Sequence, residues 1–335
     1  MKQPSLKLRK KIKKTRPSLS DISIDSYITS LRMLYAQYID NDETKLSEQL
    51  STKFLHNFSD IKKLIEMCRT TNTQKNRLTA ILVSLSAEKN PDDKLIERYQ
   101  VWLKDIMRSH QKDLDSQEKT KTQSDNWMTM DEVRSVLNKM MSDIKDKDIL
   151  NRKKKLTKGQ YNLLQKYVLL YFYVKYPIRN DVANTRVISP SEYEKDPRKD
   201  ANYLVWDKDT GKMVFKLNVF KNVARIGPKS IDISPNVARI LKKWFKVNSS
   251  GWFFTLSNGI ESLSPNGVTK LLNSIFKEYG HGKKISTSML RHIQISEDLA
   301  TEETISEKKA KEMAIQDKYQ HSGAVHDQYR KIDEK

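Results

Sequence analysis

The chain has 335 residues, of which 62 are Lys or Arg and 42 are Asp or Glu, a formal charge of +20 alongside 37% hydrophobic residues. That length allows about two domains, and the positive excess calls for a polyanionic partner, nucleic acid being the usual one, held by phosphate contacts that release counterions. A single cysteine, Cys68, excludes a disulfide framework and a multi-cysteine zinc site, while the longest apolar run, 167–174, is too short to cross a bilayer and no signal peptide precedes it.

The first 16 residues, MKQPSLKLRKKIKKTR, carry eight positive charges and no negative ones. That pattern predicts a disordered basic arm over 1–19, with Lys10, Lys11, Lys13 and Lys14 lying along a phosphate backbone. A targeting or solubilising tail is the competing reading. Next, Ser23 is expected to cap a helix whose apolar face is Ile24, Tyr27, Ile28, Leu31, Leu34 and Tyr35. Residues 76–89 repeat the pattern, and a third helix starts near Pro91. No strand pattern appears before about residue 185, so 20–109 reads as an all-α module. The polar stretch 110–126 reads as a linker.

A second domain is expected over 127–335, mainly α with a small antiparallel sheet. Thr129 and Glu132 form a capping box ahead of Val133, Val136, Leu137 and Met140. Leu163, Tyr167, Leu170, Tyr171 and Val174 mark a buried helix that Pro177 interrupts. Strands are predicted at 202–207, 213–220 and 229–234, with Gly211 in the first turn and Phe215, Leu217 and Val219 alternating with polar residues. Ser234-Pro235 and Ser264-Pro265 each place a capping serine before a proline at the first helical position. Trp244, Trp252, Phe253 and Phe254 read as core.

The terminal stretch YQHSGAVHDQYRK, 319–331, holds two of the six histidines and almost nothing that could build a core. Upstream of it lie Arg291 in STSMLRHIQIS, Lys221 between the second and third predicted strands, and Arg179 just after the broken helix. The order Arg179, Lys221, Arg291, His321, Tyr329 resembles the tyrosine recombinases, the phage-type integrases. SMLRHIQIS is similar to that family's box around its second arginine, and QHSGAVHDQY to its terminal His-to-Tyr box. His326 and Tyr319 are the rivals of His321 and Tyr329, and Arg225 and Lys229 share the loop of Lys221.

Three positions depart from the family pattern. Ser288 stands where a histidine usually precedes the second arginine, with His292 just beyond it. Position 182, commonly an acid, is Val182, the nearest acid being Asp181. The interval from His321 to Tyr329 is one residue short. Ser288, His292 and Asp181 are therefore candidate accessory residues, and Arg225 a candidate DNA contact.

The resemblance implies a core-binding domain plus an α+β catalytic domain, and a strand-breaking and rejoining reaction. Its phenol attack loads negative charge on a phosphodiester. Two forked, permanently charged guanidiniums would stabilise that charge, a lysine or histidine would protonate the leaving 5′-oxygen, and Tyr329 would become a 3′-phosphotyrosine. No cofactor or metal is required.

The resemblance also implies double-stranded DNA as partner, a monomer that becomes a tetramer on paired DNA sites, no membrane, and origin in a virus or mobile element. The expected location is intracellular, in cytoplasm, host nucleus or virion, wherever the target DNA lies. Two alternatives share these residues: a type IB topoisomerase, and a sequence-specific DNA-binding protein without catalysis.

Overall fold

The computed structural model describes residues 3–40, 51–116, 118–151, 155–196, 200–298 and 312–315. The chain divides into two compact units, 1–116 and 117–335.

The first unit is helical. Helix α1, Gln3–Thr15, replaces the disordered arm expected from the charge run. Leu8 and Ile12 lie one turn apart on one face of it, 6% and 0% exposed, and join the unit's core. Lys10, Lys11, Lys13 and Lys14 are exposed. Charge density alone missed this, because two apolar residues at helical spacing suffice when a packing surface awaits them. Arg9 adds an ion pair to Asp25 and one to Asp21.

Helix α2, Asp21–Tyr38, is capped by Ser20 and not by Ser23, whose backbone N–H instead donates to the Ser20 hydroxyl. Ile24, Ile28, Leu31 and Leu34 are its buried stripe. After a 3-10 turn, Thr52–His56, come α3 (Phe58–Glu66), α4 (Thr71–Leu85) and α5 (Asp93–Asp115). Tyr99 on α5 is fully buried and donates to Leu55 O at 2.8 Å, so even the polar tip of this core side chain is satisfied.

The expected linker 110–126 is mostly structured. Helix α5 runs to Asp115, and Thr120 opens a short helix, α6 (Lys121–Asn126), through a capping box with Gln123. Polar residues there keep good helix propensity, which a polarity criterion overlooks.

In the second unit, Thr129 and Glu132 form both bonds of the capping box that opens α7, Met130–Asp146. Helix α8, Lys158–Lys175, is the central buried helix. Leu169, Leu170, Phe172 and Tyr173 sit in a core with Phe215, Trp244, Phe253 and Phe276.

The sheet order is β1-β2-β3-β4: Arg186–Ile188, Tyr203–Trp206, Met213–Leu217 and Lys229–Asp232. It is mixed rather than antiparallel throughout, because β1 pairs parallel to β2. Strand β1 is three residues long, too short to show alternation. Helix α9, Pro190–Lys195, lies in the crossover to β2. The β2–β3 turn is held by Asp207, which accepts from the Asp209 and Thr210 backbone, and by Gly211 at φ 75°.

Strand β3 ends at Leu217, and Val219 is 48% exposed, so the alternation predicted to run through it stops early. The short helix α10, Val223–Ile226, follows before β4. Helices α11 (Pro235–Val247), α12 (Pro265–Tyr279) and α13 (Thr287–Asp298) follow, and residues 312–315 are also helical. Ser264 caps through its side chain and Ser234 does not. Trp252 is half-buried beneath the Arg186 guanidinium, not in the core. Among the described residues no helix is long and apolar enough to cross a membrane.

Candidate active site

Helix α8 ends at Tyr176 because Pro177 cannot continue it and disfavours helical geometry at the residue before it. The end leaves main-chain carbonyls without intrahelical donors, at the negative pole of the helix. Side chains of α13 supply donors. Gln294 Nε2 donates to Tyr173 O at 3.2 Å and Val174 O at 3.1 Å, and Arg291 Nη1 donates to Pro177 O at 2.8 Å. Arg291 and Gln294 lie three residues apart on one helix face, the spacing that lets both reach the same carbonyl cluster. Arg291 is 1% exposed, one of the largest fully buried side chains among the described residues.

The chain then turns through a 3-10 segment, Asn180–Val182, with Arg179 at its N-cap. The Tyr173 hydroxyl donates to Arg179 O at 2.8 Å. Asn180 ties the turn to two further helices: its amide donates to Thr269 Oγ1 at 3.1 Å and its Oδ1 accepts from Thr287 Oγ1 at 2.7 Å. The start of α13 is thereby fixed against the segment that bears Arg179.

Asp181 lies within electrostatic reach of both Arg179 and Arg291. Burial pushes the Asp181 carboxyl up from its ordinary value, although Arg179, Arg291 and a backbone hydrogen bond from Arg179 pull it down. Burial, then the Asp181 charge, raises the Tyr173 phenol well above the usual tyrosine range against the pull of Arg291. Arg179 Nη1 and Asp181 Oδ2 are buried and have no hydrogen-bond partner among the described residues. Unspent donors and acceptors of this kind call for an explanation. Val182, at the position where the resemblance implies an acid, is 1% exposed in the hydrophobic core.

Lys221 is exposed, following the buried Phe220 in the β3–β4 connection, and Arg225 is exposed on α10. Ser288 is exposed at the start of α13, and His292 is half-buried one residue beyond Arg291. His321 and Tyr329, with their rivals Tyr319 and His326, lie outside the described residues. Lys10, Lys11, Lys13 and Lys14 belong to the other unit.

Sequence reasoning missed Tyr173, Asn180, Asn202 and Gln294, which hold the pieces together. Tyr173 sits in an apolar run and reads as core. The amides carry no local signal, because their partners are distant main-chain groups and side-chain hydroxyls.

No protein-family model matches this chain, and no curated protein does. Among solved structures, a crystal structure of XerA recombinase aligns with 98% of this chain and 94% of its own, at a TM-score of 0.40 and 12% identity. This is a loose likeness of two chain paths.

Proposed function

We propose that the protein cuts and rejoins double-stranded DNA through a 3′-phosphotyrosine, as a site-specific recombinase of the tyrosine type. The observation that carries this reading is the bond from Arg291 to Pro177 O, two residues before Arg179, which brings α13 to the Arg179 segment from far along the sequence, with Asp181 within electrostatic reach of both arginines. Two permanent cations at one site would match the two non-bridging oxygens of a phosphodiester, whose charge grows as phosphorus becomes five-coordinate. Burial of Arg291 against the end of α8 fixes it before substrate arrives, which removes reorganisation from the reaction step. Arg179 keeps an unspent N–H to offer.

Tyr329 is the proposed nucleophile. Its phenolate oxygen bonds phosphorus, the bond to the 5′-oxygen breaks, and Lys221 or His321 gives that oxygen a proton. The partner is double-stranded DNA, with a monomer in solution and a tetramer on paired sites.

The test starts from a pool of nicked duplexes with a randomised core. Protein is added, covalent complexes are isolated under denaturing conditions, and the trapped DNA is sequenced. A recombinase enriches a defined site and forms an adduct that Tyr329→Phe abolishes while DNA binding persists. An adduct that survives Tyr329→Phe and vanishes in Tyr319→Phe reassigns the nucleophile. Binding without any adduct, in line with the exposed Ser288 in place of a histidine, would make the chain a DNA-binding protein only.

A further inference from the structure

One residue that the sequence reading placed only at the start of a strand spends its side-chain hydrogen bonds on joining two parts of the candidate site. Asn202, 8% exposed, stands immediately before β2. Its Nδ2 donates to Asp181 O at 3.0 Å and to Val219 O at 2.9 Å, and its Oδ1 accepts from Asn218 N at 3.0 Å and Val219 N at 2.9 Å. An asparagine has two N–H donors and one carbonyl oxygen with two lone pairs, so its capacity is filled. Asn218 answers with its own amide, donating to Ala201 O at 3.0 Å. Beyond the last backbone pair at this end, Tyr203 with Lys216, these side chains continue the join between the two strands.

The two backbones held by Asn202 are those of Asp181, beside the arginines, and Val219, two residues before Lys221. Lys221 itself is exposed, and the backbone leading to it is held at Val219 by Asn202 and at the buried Phe220. We propose that Asn202 is a positioning residue that sets Lys221 against the arginine pair so that the lysine protonates the leaving 5′-oxygen. This assignment rests on the recombinase reading. In the step concerned, the tyrosine oxygen bonds phosphorus, the P–O5′ bond breaks, and one proton passes from the Lys221 ammonium to O5′, leaving a neutral amine. An asparagine that served the fold alone would, when removed, slow cleavage of every substrate alike.

The experiment uses the duplex recovered from the randomised pool, made with either an ordinary 5′-oxygen or a 5′-bridging sulfur at the cut position. A thiolate leaves without a proton. Asn202→Asp, which keeps the shape and removes the donors, and Asn202→Ala should each slow cleavage of the oxygen substrate by about tenfold or more, a part of the roughly hundredfold or greater gain that general-acid catalysis supplies. The sulfur substrate should be cleaved at close to the wild-type rate. In a Lys221→Ala background, Asn202→Asp should cost little more, since both changes remove one function.

Equal losses on the two substrates would overturn the proposal while leaving the recombinase reading intact. Wild-type protein that forms no adduct on any duplex overturns that reading, and this role with it. Hydrogen exchange checks the geometry without the reaction. The Asn218 and Val219 amides should exchange slowly in wild type and fast in Asn202→Ala, and unprotected wild-type amides would refute the proposal.

Discussion

Arg291 and Lys221 are cations proposed for one reaction, yet their surroundings are opposite. Arg291 is 1% exposed, bonded to Pro177 O at the end of α8, and flanked by Asp181. Lys221 is exposed on the β3–β4 connection and is held indirectly, through the backbone that Asn202 clamps. The difference follows from chemistry. A guanidinium keeps its charge when buried and can be fixed in advance against carbonyls and a carboxylate. An ammonium that must hand a proton to the leaving oxygen has to reach its substrate, which a positioned loop at the surface allows. Fixed charge belongs in the packed region and exchangeable charge at its edge.

That contrast breaks most visibly at the buried end. Arg291→Ala should lower adduct formation about a hundredfold or more, the scale on which one transition-state donor is felt. It should also destabilise the second unit by about 3 kcal/mol, because Pro177 O loses its donor and Asp181 a buried countercharge. Arg179→Ala should match the first loss with a smaller change in melting temperature, since Arg179 is only half-buried. Calorimetry beside the adduct assay separates the two. Equal destabilisation by both substitutions would remove the distinction drawn here.

Legibility in the sequence follows the same division between local and distant causes. The capping box of Thr129 and Glu132 could be read because both bonds close within four residues. Strand β3 could be located from alternation and β2 and β4 from the runs on either side of it, whereas β1 could not, being three residues paired to a strand beyond a helical crossover. Leu8 and Ile12 were hidden among lysines, and their burial is decided by a core built from later helices. At the site, Arg179, Asp181 and Arg291 were picked out by charge, order and resemblance, and Asp181 lies within electrostatic reach of both arginines. Asn202 could not be picked out, because an asparagine before a strand resembles any turn residue until its four partners are known.

Asp181 gives a sharper and smaller probe of the buried region. Its folded pKa is raised by burial. A raised acid contributes stability that is fully present below its unfolded value and is lost as pH rises through its folded value. Asp181→Asn removes that dependence. The melting temperature of the variant minus that of wild type should therefore increase as pH is raised from about 4, near the unfolded value of an aspartate, towards neutrality. A difference that falls with pH would mean that the arginines outweigh burial at this carboxylate. The cluster would then be an ion-pair network stabilising the fold.

The smallest expected effect concerns exposed charge carried on packed structure, in the first unit. Helix α1 contributes Leu8 and Ile12 to that unit's core, so deleting it would confound DNA binding with unfolding. Neutralising its outer face avoids this. Lys10, Lys11 and Lys14 are exposed, and glutamine in their place keeps helix propensity close to that of lysine. If all three contact phosphates, the triple variant should flatten the dependence of log K on log salt by about 0.9 per contact, roughly 2.7 in slope. The melting temperature of the unit should stay nearly constant, because no buried group is touched. Lys13 is left in place, since its ammonium donates to Leu19 O at 2.7 Å and closes the turn after α1. A slope unchanged by the three substitutions would take α1 out of the DNA interface and leave it as a packing helix with a solubilising outer face.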